Sequence, residues 1–160
     1  MRRVFLALVI VTAAITIFPS SLGILAGKEF GGRERFYVGA SVALGDGAGL
    51  GVDVYYPISS FESAAEEISE AKLIEIDPGL FLALRFESLK IYAFAGPVVI
   101  FNLESYQYST LPFDTLRGKV GFKLKMGAFS IFAEGITLFT YSPFATSGVY
   151  GVQGGVALGF

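Results

Sequence analysis

The alternation of apolar residues with small or polar ones is the feature that most restricts how this chain can fold. In residues 36–44, Phe, Val, Ala, Val and Leu fall on one face and Tyr, Gly, Ser and Ala on the other. A period of two residues is typical of a β-strand. Beyond the N-terminal stretch no apolar run of helical length appears, so strands must carry an apolar content of 53%.

The same alternation recurs along the chain. A short glycine-containing turn follows the first strand at residues 45–47, as tight hairpins require. Seven strands are predicted in all: Phe36–Leu44, Gly49–Tyr56, Leu73–Phe86, Leu89–Phe101, Leu116–Met126, Ala128–Tyr141 and Val149–Phe160.

Composition excludes several classes of function. Charged residues make up 16% of the sequence, against about 25% in ordinary soluble domains. The net charge of −2 argues against nucleic-acid binding, which needs a basic face. The absence of histidine and cysteine removes the usual general base, the commonest metal ligand and any thiol nucleophile. We therefore expect no catalytic, cofactor-binding or metal-binding residues and no enzymatic activity.

The two faces of the predicted strands differ in a way that favours a membrane. One face carries Val, Leu, Ile and Phe in nearly every strand, while the other mixes Gly, Ala and Ser with few charges. A soluble lipocalin-like binder of apolar ligands, the less favoured alternative, would be polar all over its outside. In hydrocarbon an open sheet edge leaves unpaired backbone groups, so a spanning sheet must close. The sequence therefore predicts an all-β, antiparallel, up-and-down transmembrane β-barrel.

The strand count leaves one segment open. Bacterial outer-membrane barrels have an even number of strands, so an eighth is expected. In residues 60–71, the capping-box patterns that begin at Ser59 and Ser63 favour a short helix. The alternation of long connections with short turns, counted back from the C-terminus, favours instead a strand at about residues 60–69.

The N-terminus has the organisation of a secretory signal peptide. Two arginines precede an uncharged apolar stretch, and small residues suit a cut after Gly23, with Ala26 as the other candidate. The apolar stretch is shorter than the roughly 20 residues of a membrane-spanning helix, so cleavage is favoured over an anchor. The predicted domains are residues 1–23 as signal peptide, 24–34 as a short periplasmic segment and 35–160 as the barrel.

Aromatic residues on the apolar faces predict two girdles at the boundaries between lipid and water. The girdle on the periplasmic side is predicted to contain Phe36, Tyr56, Phe86, Phe129 and Phe160. The other is predicted to contain Phe101 and Phe139.

Charged residues on the opposite face would point into the lumen. They are Asp53, Glu75, Asp77, Arg85, Arg117, Lys119, Lys123, Lys125 and Glu134. Eight strands leave an interior just wide enough to be filled by side chains, and a buried charge without a partner is strongly destabilising. We therefore expect Arg117, Lys119 or Lys123 to pair with Glu134, Asp53 or Glu75 in a polar plug, the alternative being a path for ions or solutes.

Three segments resemble the small outer-membrane β-barrel families with OmpA-like or OmpX-like eight-stranded domains. Residues 36–41 are similar to their opening strand and residues 80–97 to their central hairpin. The last strand resembles the C-terminal signal read by the barrel assembly machinery, with alternating Tyr150, Val152, Gly154, Val156, Leu158 and Phe160. The resemblance implies the bacterial outer membrane as location, with its lipid and that machinery as partners and no cofactor.

Two functions remain open at this stage. The first is a structural or surface protein with a filled lumen, whose connections 102–115 and 142–148 contact an extracellular partner through Tyr106, Tyr108, Phe113 and Phe144. The second is a narrow channel for small solutes, biased toward anions by Arg117, Lys119, Lys123 and Lys125.

Overall fold

The computed structural model describes residues 21–31, 34–58, 73–112, 114–141 and 144–159. Every regular element in these residues is a strand. The strands are β1 (Ser21–Gly31), β2 (Arg35–Leu44), β3 (Ala48–Pro57), β4 (Leu73–Phe86), β5 (Leu89–Pro97), β6 (Val99–Asn102), β7 (Gln107–Thr110), β8 (Thr115–Met126), β9 (Phe129–Tyr141) and β10 (Phe144–Gly159).

Eight of these strands form a closed antiparallel barrel. The circuit runs β1–β2–β3–β4–β5–β8–β9–β10, and β10 pairs with β1 to close it. β6 continues beyond β5 opposite β4, and β7 pairs with β6, so these two strands form a hairpin that extends the wall. The predicted all-β transmembrane barrel of eight strands is confirmed as the fold.

The eighth strand is not where the sequence pattern placed it. β3 and β4 pair directly, from Ala48 with Leu82 to Tyr55 with Glu75, so no strand lies between them in the wall. Residues 60–69, predicted as that strand, lie outside the described residues. The missing strand is β1, which covers the last three residues of the predicted leader and residues 24–31 of the proposed periplasmic segment 24–34. Residues 1–20, most of the predicted signal peptide, also lie outside the described part.

The two ends of the barrel have different connections. At the end that we call the turn end, short turns at residues 45–47, 87–88 and 127–128 join the strands. Gly127 has a φ of 70°, which glycine tolerates without strain. At the opposite end, the loop end, the chain passes between β1 and β2, β3 and β4, β6 and β7, and β9 and β10.

Moving the eighth strand reverses β2 and β3 relative to the prediction. Phe36 and Tyr56 therefore lie at the loop end, whereas Phe86 and Phe129 flank turns at the turn end. The predicted shared rim is wrong for Phe36 and Tyr56, which lie instead toward the end where Phe101 and Phe139 are found. Phe160 is outside the described residues.

The two connections predicted to be long each contain β-structure. Within residues 102–115, β7 pairs with β6, as in Phe101 with Tyr108, and the tyrosine and threonine of β7 suit a strand. Within 142–148, β10 already begins at Phe144, and its register with β9 shifts between Thr146 and Tyr150.

Alternation along each strand separates a lipid-like outside from a polar inside. Leu80, Leu82 and Leu84 of β4 are 66%, 70% and 67% exposed, while Phe81 between them is 5% exposed. The C-terminal strand shows the same pattern, with Tyr150, Val152, Val156 and Leu158 outward. An apolar exterior around a polar interior is the arrangement expected of a barrel whose solvent is a bilayer.

Candidate functional site

The barrel interior holds the densest group of charged side chains in the described residues. The two-residue period of a strand points Glu75 and Asp77 of β4 into the lumen, and likewise Arg117 and Lys119 of β8. All four are almost completely buried. The fifth, Asp53 of β3, is also buried, so the fold brings together five of the residues predicted for the lumen.

Arg117 lies at the centre of an ionic group toward the loop end. Its Nη1 donates to Asp77 Oδ2 at 2.8 Å, and its Nη2 donates to Glu75 Oε2 at 2.8 Å and to Glu29 Oε1 at 3.1 Å. Arg35 donates from Nε to Glu29 at 2.8 Å and from Nη2 to Glu75 at 2.5 Å. Two arginines thus share two glutamates, and we call these five residues the Arg117 cluster.

Lys119 extends this group toward the middle of the lumen. Its Nζ lies 2.5 Å from Asp53 Oδ2 and 3.7 Å from Asp77 Oδ2, so Asp77 links it to the Arg117 cluster. The Tyr55 hydroxyl donates to the same Asp53 oxygen at 3.1 Å. Lys119 Nζ also lies 4.1 Å from the centre of the Phe94 ring, a distance at which an aromatic face attracts a cation.

A chain of neutral donors satisfies the remaining buried carboxylate, Glu134. The Tyr92 hydroxyl donates to Glu134 Oε1 at 2.5 Å, and the Gln153 amide donates to Glu134 Oε2. The Tyr37 hydroxyl donates in turn to Gln153 Oε1 at 3.0 Å. These bonds connect β2, β5, β9 and β10 across the lumen.

An apolar group adjoins the ionic one in the loop-end part of the barrel. Val98, Leu138 and Val149 are buried together, and Ile100 and Leu111 pack against them. Val98 stands at the break between β5 and β6. The loop-end half of the lumen is therefore filled by both ion pairs and packed hydrocarbon.

Two of the expected ion pairs form, and the other predicted basic residues lie elsewhere. Arg117 contacts Glu75, and Lys119 contacts Asp53. Lys123 Nζ donates to Ser21 Oγ at 3.1 Å, and neither Arg85 nor Lys125 reaches the buried groups. Arg85, Lys123 and Lys125 line a cavity of about 470 Å³ at the turn end instead.

Sequence reasoning missed Glu29, Arg35 and Gln153, together with the inward tyrosines Tyr37 and Tyr55. Glu29 fell in the segment 24–34 assigned to the region before the barrel, and Arg35 fell in the predicted barrel but one residue before its first predicted strand. Arg35 continues the inward face of Tyr37 by one period, so extending β2 by one residue would have found it. Gln153 is buried, while its neighbour Val152 is exposed. A polar residue on the face opposite the apolar valines of β10 indicates a side chain that points into the lumen.

The described part of the chain contains no helix long and apolar enough to cross a membrane. In the same residues, no group of three carboxylate, histidine or cysteine side chains is arranged to hold a metal ion. The buried carboxylates are instead neutralised by arginine and lysine or hydrogen-bonded by neutral side chains.

Comparison with known proteins identifies the fold rather than a family. No protein-family model and no curated protein sequence matches the chain. Among solved structures, the N-terminal β-barrel domain of OprF from Pseudomonas aeruginosa is similar, with a TM-score of 0.58, 14% identity, and coverage of 89% of this chain and 99% of that one. Neisserial surface protein A is similar with a TM-score of 0.54, 12% identity and coverage of 89% and 97%.

A designed protein, the de novo TMB2.3, is similar at a TM-score of 0.51 and 16% identity, over 90% of this chain and 97% of that one. Identities at this level support likeness of fold alone. The fold is that of the small eight-stranded outer-membrane β-barrels, as the alternation and the C-terminal strand predict.

Proposed function

We propose that the protein is a non-enzymatic barrel of the bacterial outer membrane with a closed lumen and a structural or surface-interaction role. The observation that carries the proposal is the Arg117 cluster, which joins β1, β2, β4 and β8 by direct ion pairs across the lumen. In a barrel of eight strands such contacts leave little room for a continuous path.

The barrel's asymmetry supports an orientation. Bacterial outer-membrane barrels have short periplasmic turns and longer external loops, so the turn end would face the periplasm and the loop end the outside. The β6–β7 hairpin then extends toward the exterior and presents Tyr106 and Tyr108, which are 79% and 76% exposed. A partner outside the cell would meet these rings first.

Export and assembly complete the proposal. An N-terminal leader would direct secretion. The predicted cut after Gly23 or Ala26 falls inside β1, whose residues 21–26 pair with β2 and β10, so we propose a cut before β1 instead. The outward Tyr150, Val152, Val156 and Leu158, followed by Phe160, would form the signal recognised by the barrel assembly machinery. The outward apolar face would contact outer-membrane lipid. Fractionation with the outer membrane and heat-modifiable migration in a detergent gel are the expected results, whereas recovery as a soluble periplasmic monomer would overturn the proposal.

Conductance tests the closed lumen. Purified protein in planar bilayers should give no discrete current steps. The matched comparison is a variant with Glu29, Arg35, Asp53, Glu75, Arg117 and Lys119 all changed to alanine, together with Tyr92→Ala and Gln153→Ala. It removes three charges of each sign, and so preserves net charge, while it removes the side chains whose contacts cross the lumen. This variant should conduct. Steps of the same size from the unaltered protein would establish the channel instead.

The buried charges do not support an anion bias for such a channel. Among the described residues, buried carboxylates at Glu29, Asp53, Glu75, Asp77 and Glu134 outnumber the buried cations at Arg35, Arg117 and Lys119 by five to three. Two of the lysines on which the bias was predicated, Lys123 and Lys125, lie at the turn end.

A further inference from the structure

The turn end of the barrel opens into a basic cavity that the closed lumen does not explain. The cavity has a volume of about 470 Å³, within the size range of pockets for small molecules. Among the described residues, its charged lining consists of Arg85, Lys90, Lys123 and Lys125 with a single side-chain carboxylate, Asp46. We call this cavity the basic vestibule.

Three of its cations stand in one row across neighbouring strands. Arg85 of β4 is directly opposite Lys90 of β5, and Lys90 is directly opposite Lys123 of β8. Like charges directly opposite each other on one face of a sheet destabilise it. A row of three cations therefore carries an electrostatic cost that a bound anion would relieve.

The carboxylate present compensates only part of this charge. Asp46 lies 2.7 Å from Arg85 Nη1 and 3.4 Å from Lys90 Nζ. Lys123 Nζ, by contrast, has the neutral Ser21 hydroxyl at 3.1 Å and the Phe132 ring at 5.7 Å from its centre. Arg85 and Lys90 thus share one acid, while the polar contact of Lys123 is to a neutral hydroxyl.

A second, smaller cavity lies deeper in the barrel. It has a volume of about 50 Å³, shares Lys90 and Lys123 with the vestibule and is also lined by Tyr92, Lys119 and Glu134. The hydrogen bond of Tyr92 to Glu134 and the ion pair of Lys119 with Asp53 lie at this depth.

We propose that the basic vestibule binds a phosphate-bearing ligand through Lys90, Lys123 and Arg85. Lysine ammonium groups and the arginine guanidinium are the side chains that bind phosphate oxygens best. The phosphate belongs either to a soluble phosphorylated compound or to a lipid headgroup that reaches the rim. The inference goes beyond the structural role proposed above and holds whether or not the lumen conducts.

Titration calorimetry with sodium pyrophosphate tests the site, using the whole protein in a non-ionic detergent at low ionic strength. Saturable binding at one site is expected, weakening as salt is added because the charges are partly exposed. The Lys90→Gln/Lys123→Gln variant should bind at least about tenfold more weakly, a loss of about 1.4 kcal/mol. The control Lys28→Gln removes an outward lysine at the loop end and should leave the affinity unchanged.

A second variant moves the affinity the other way and keeps the test decisive if the double variant fails to fold. Asp46→Asn removes the competing carboxylate from a surface turn and should strengthen pyrophosphate binding severalfold. Absence of saturable binding, or equal affinity in the unaltered protein, the lysine variant and Asp46→Asn, would overturn the proposal.

The source of the phosphate is separated by repeating the titration in lipid nanodiscs. If a lipid headgroup is the natural ligand, nanodiscs containing phosphatidylglycerol should weaken pyrophosphate binding more than phosphatidylcholine nanodiscs given the same surface charge by a fatty acid, because only the former adds a competing anionic phosphate. If the ligand is soluble, the two charge-matched nanodiscs should give the same affinity.

Discussion

The cations in the two halves of the lumen differ in how many carboxylates contact them. Toward the loop end, Arg117 is 1% exposed and lies within 3.1 Å of oxygens from three carboxylates. Toward the turn end, Lys90 and Lys123 stand opposite each other on adjacent strands, and Asp46 pairs with Arg85 and Lys90. In the first half each cation has two or three carboxylate partners, whereas in the second one carboxylate serves two cations and Lys123 hydrogen-bonds a neutral hydroxyl.

The difference follows from access to water. A cation in the narrow, filled part of the barrel has no other source of solvation, so the sequence must supply carboxylates for it. A cation at the open mouth is solvated and can remain without a protein partner at little cost. Structural and ligand-binding charges can thus be distinguished within one barrel by counting their partners.

The largest expected effect is the loss of the central cation. Arg117→Met leaves Glu29, Glu75 and Asp77 buried without their shared partner, and breaking a buried pair from one side costs about 3–5 kcal/mol. The free energy of unfolding, from urea titration in detergent or vesicles, should fall by that amount. Lys125→Met at the exposed mouth is the control, expected within about 0.5 kcal/mol of the unaltered protein. Equal unfolding free energies for the two variants would contradict the view that cations at the loop end stabilise the barrel and cations at the turn end do not.

Close packing in the filled half gives the next effect. A methyl group added at Gly27 would meet the Tyr37 hydroxyl and the Gln153 Cβ, disturbing the chain of hydrogen bonds to Glu134. Overpacking of this kind costs about 1–3 kcal/mol, so Gly27→Ala should lower the unfolding free energy accordingly. Gly135→Ala is the matched control, because the nearest atom to its added Cβ is the Val120 carbonyl oxygen at 3.9 Å. Similar unfolding free energies for both alanine variants would show that the lumen near Gly27 is not closely packed.

The sequence alone predicts the wall of this barrel better than its contents. Alternation located the strands because each must present one apolar face to lipid, and the prediction for Leu73–Phe86 coincides with β4. β1 was missed because its small residues resemble a cleavage region. Two positions of its inward face, residues 23 and 27, are glycine. Because glycine is neither clearly polar nor clearly apolar, the alternation that identifies a strand is weak in this segment.

That one omission also explains the misplaced site residues. Without β1, Glu29 had no strand and Arg35 had no carboxylate partner, so neither could be assigned to the lumen. The alternation of long and short connections then placed the eighth strand at residues 60–69, and this placement reversed the predicted orientation of β2 and β3. Ion pairing across a barrel depends on which strands are neighbours, and strand order is not readable from local periodicity.

The smallest effect has the opposite sign to the first. Lys123→Gln removes a positive charge directly opposite Lys90, and relieving such repulsion is worth about 0.2–1 kcal/mol. In phosphate-free buffer at low salt this variant should therefore unfold at slightly higher urea than the unaltered protein. The gain should shrink as salt is raised, because mobile ions screen partly exposed charges, whereas the loss in Arg117→Met should persist. A loss of stability in Lys123→Gln would show that this lysine is a structural partner, as the cations of the filled half are.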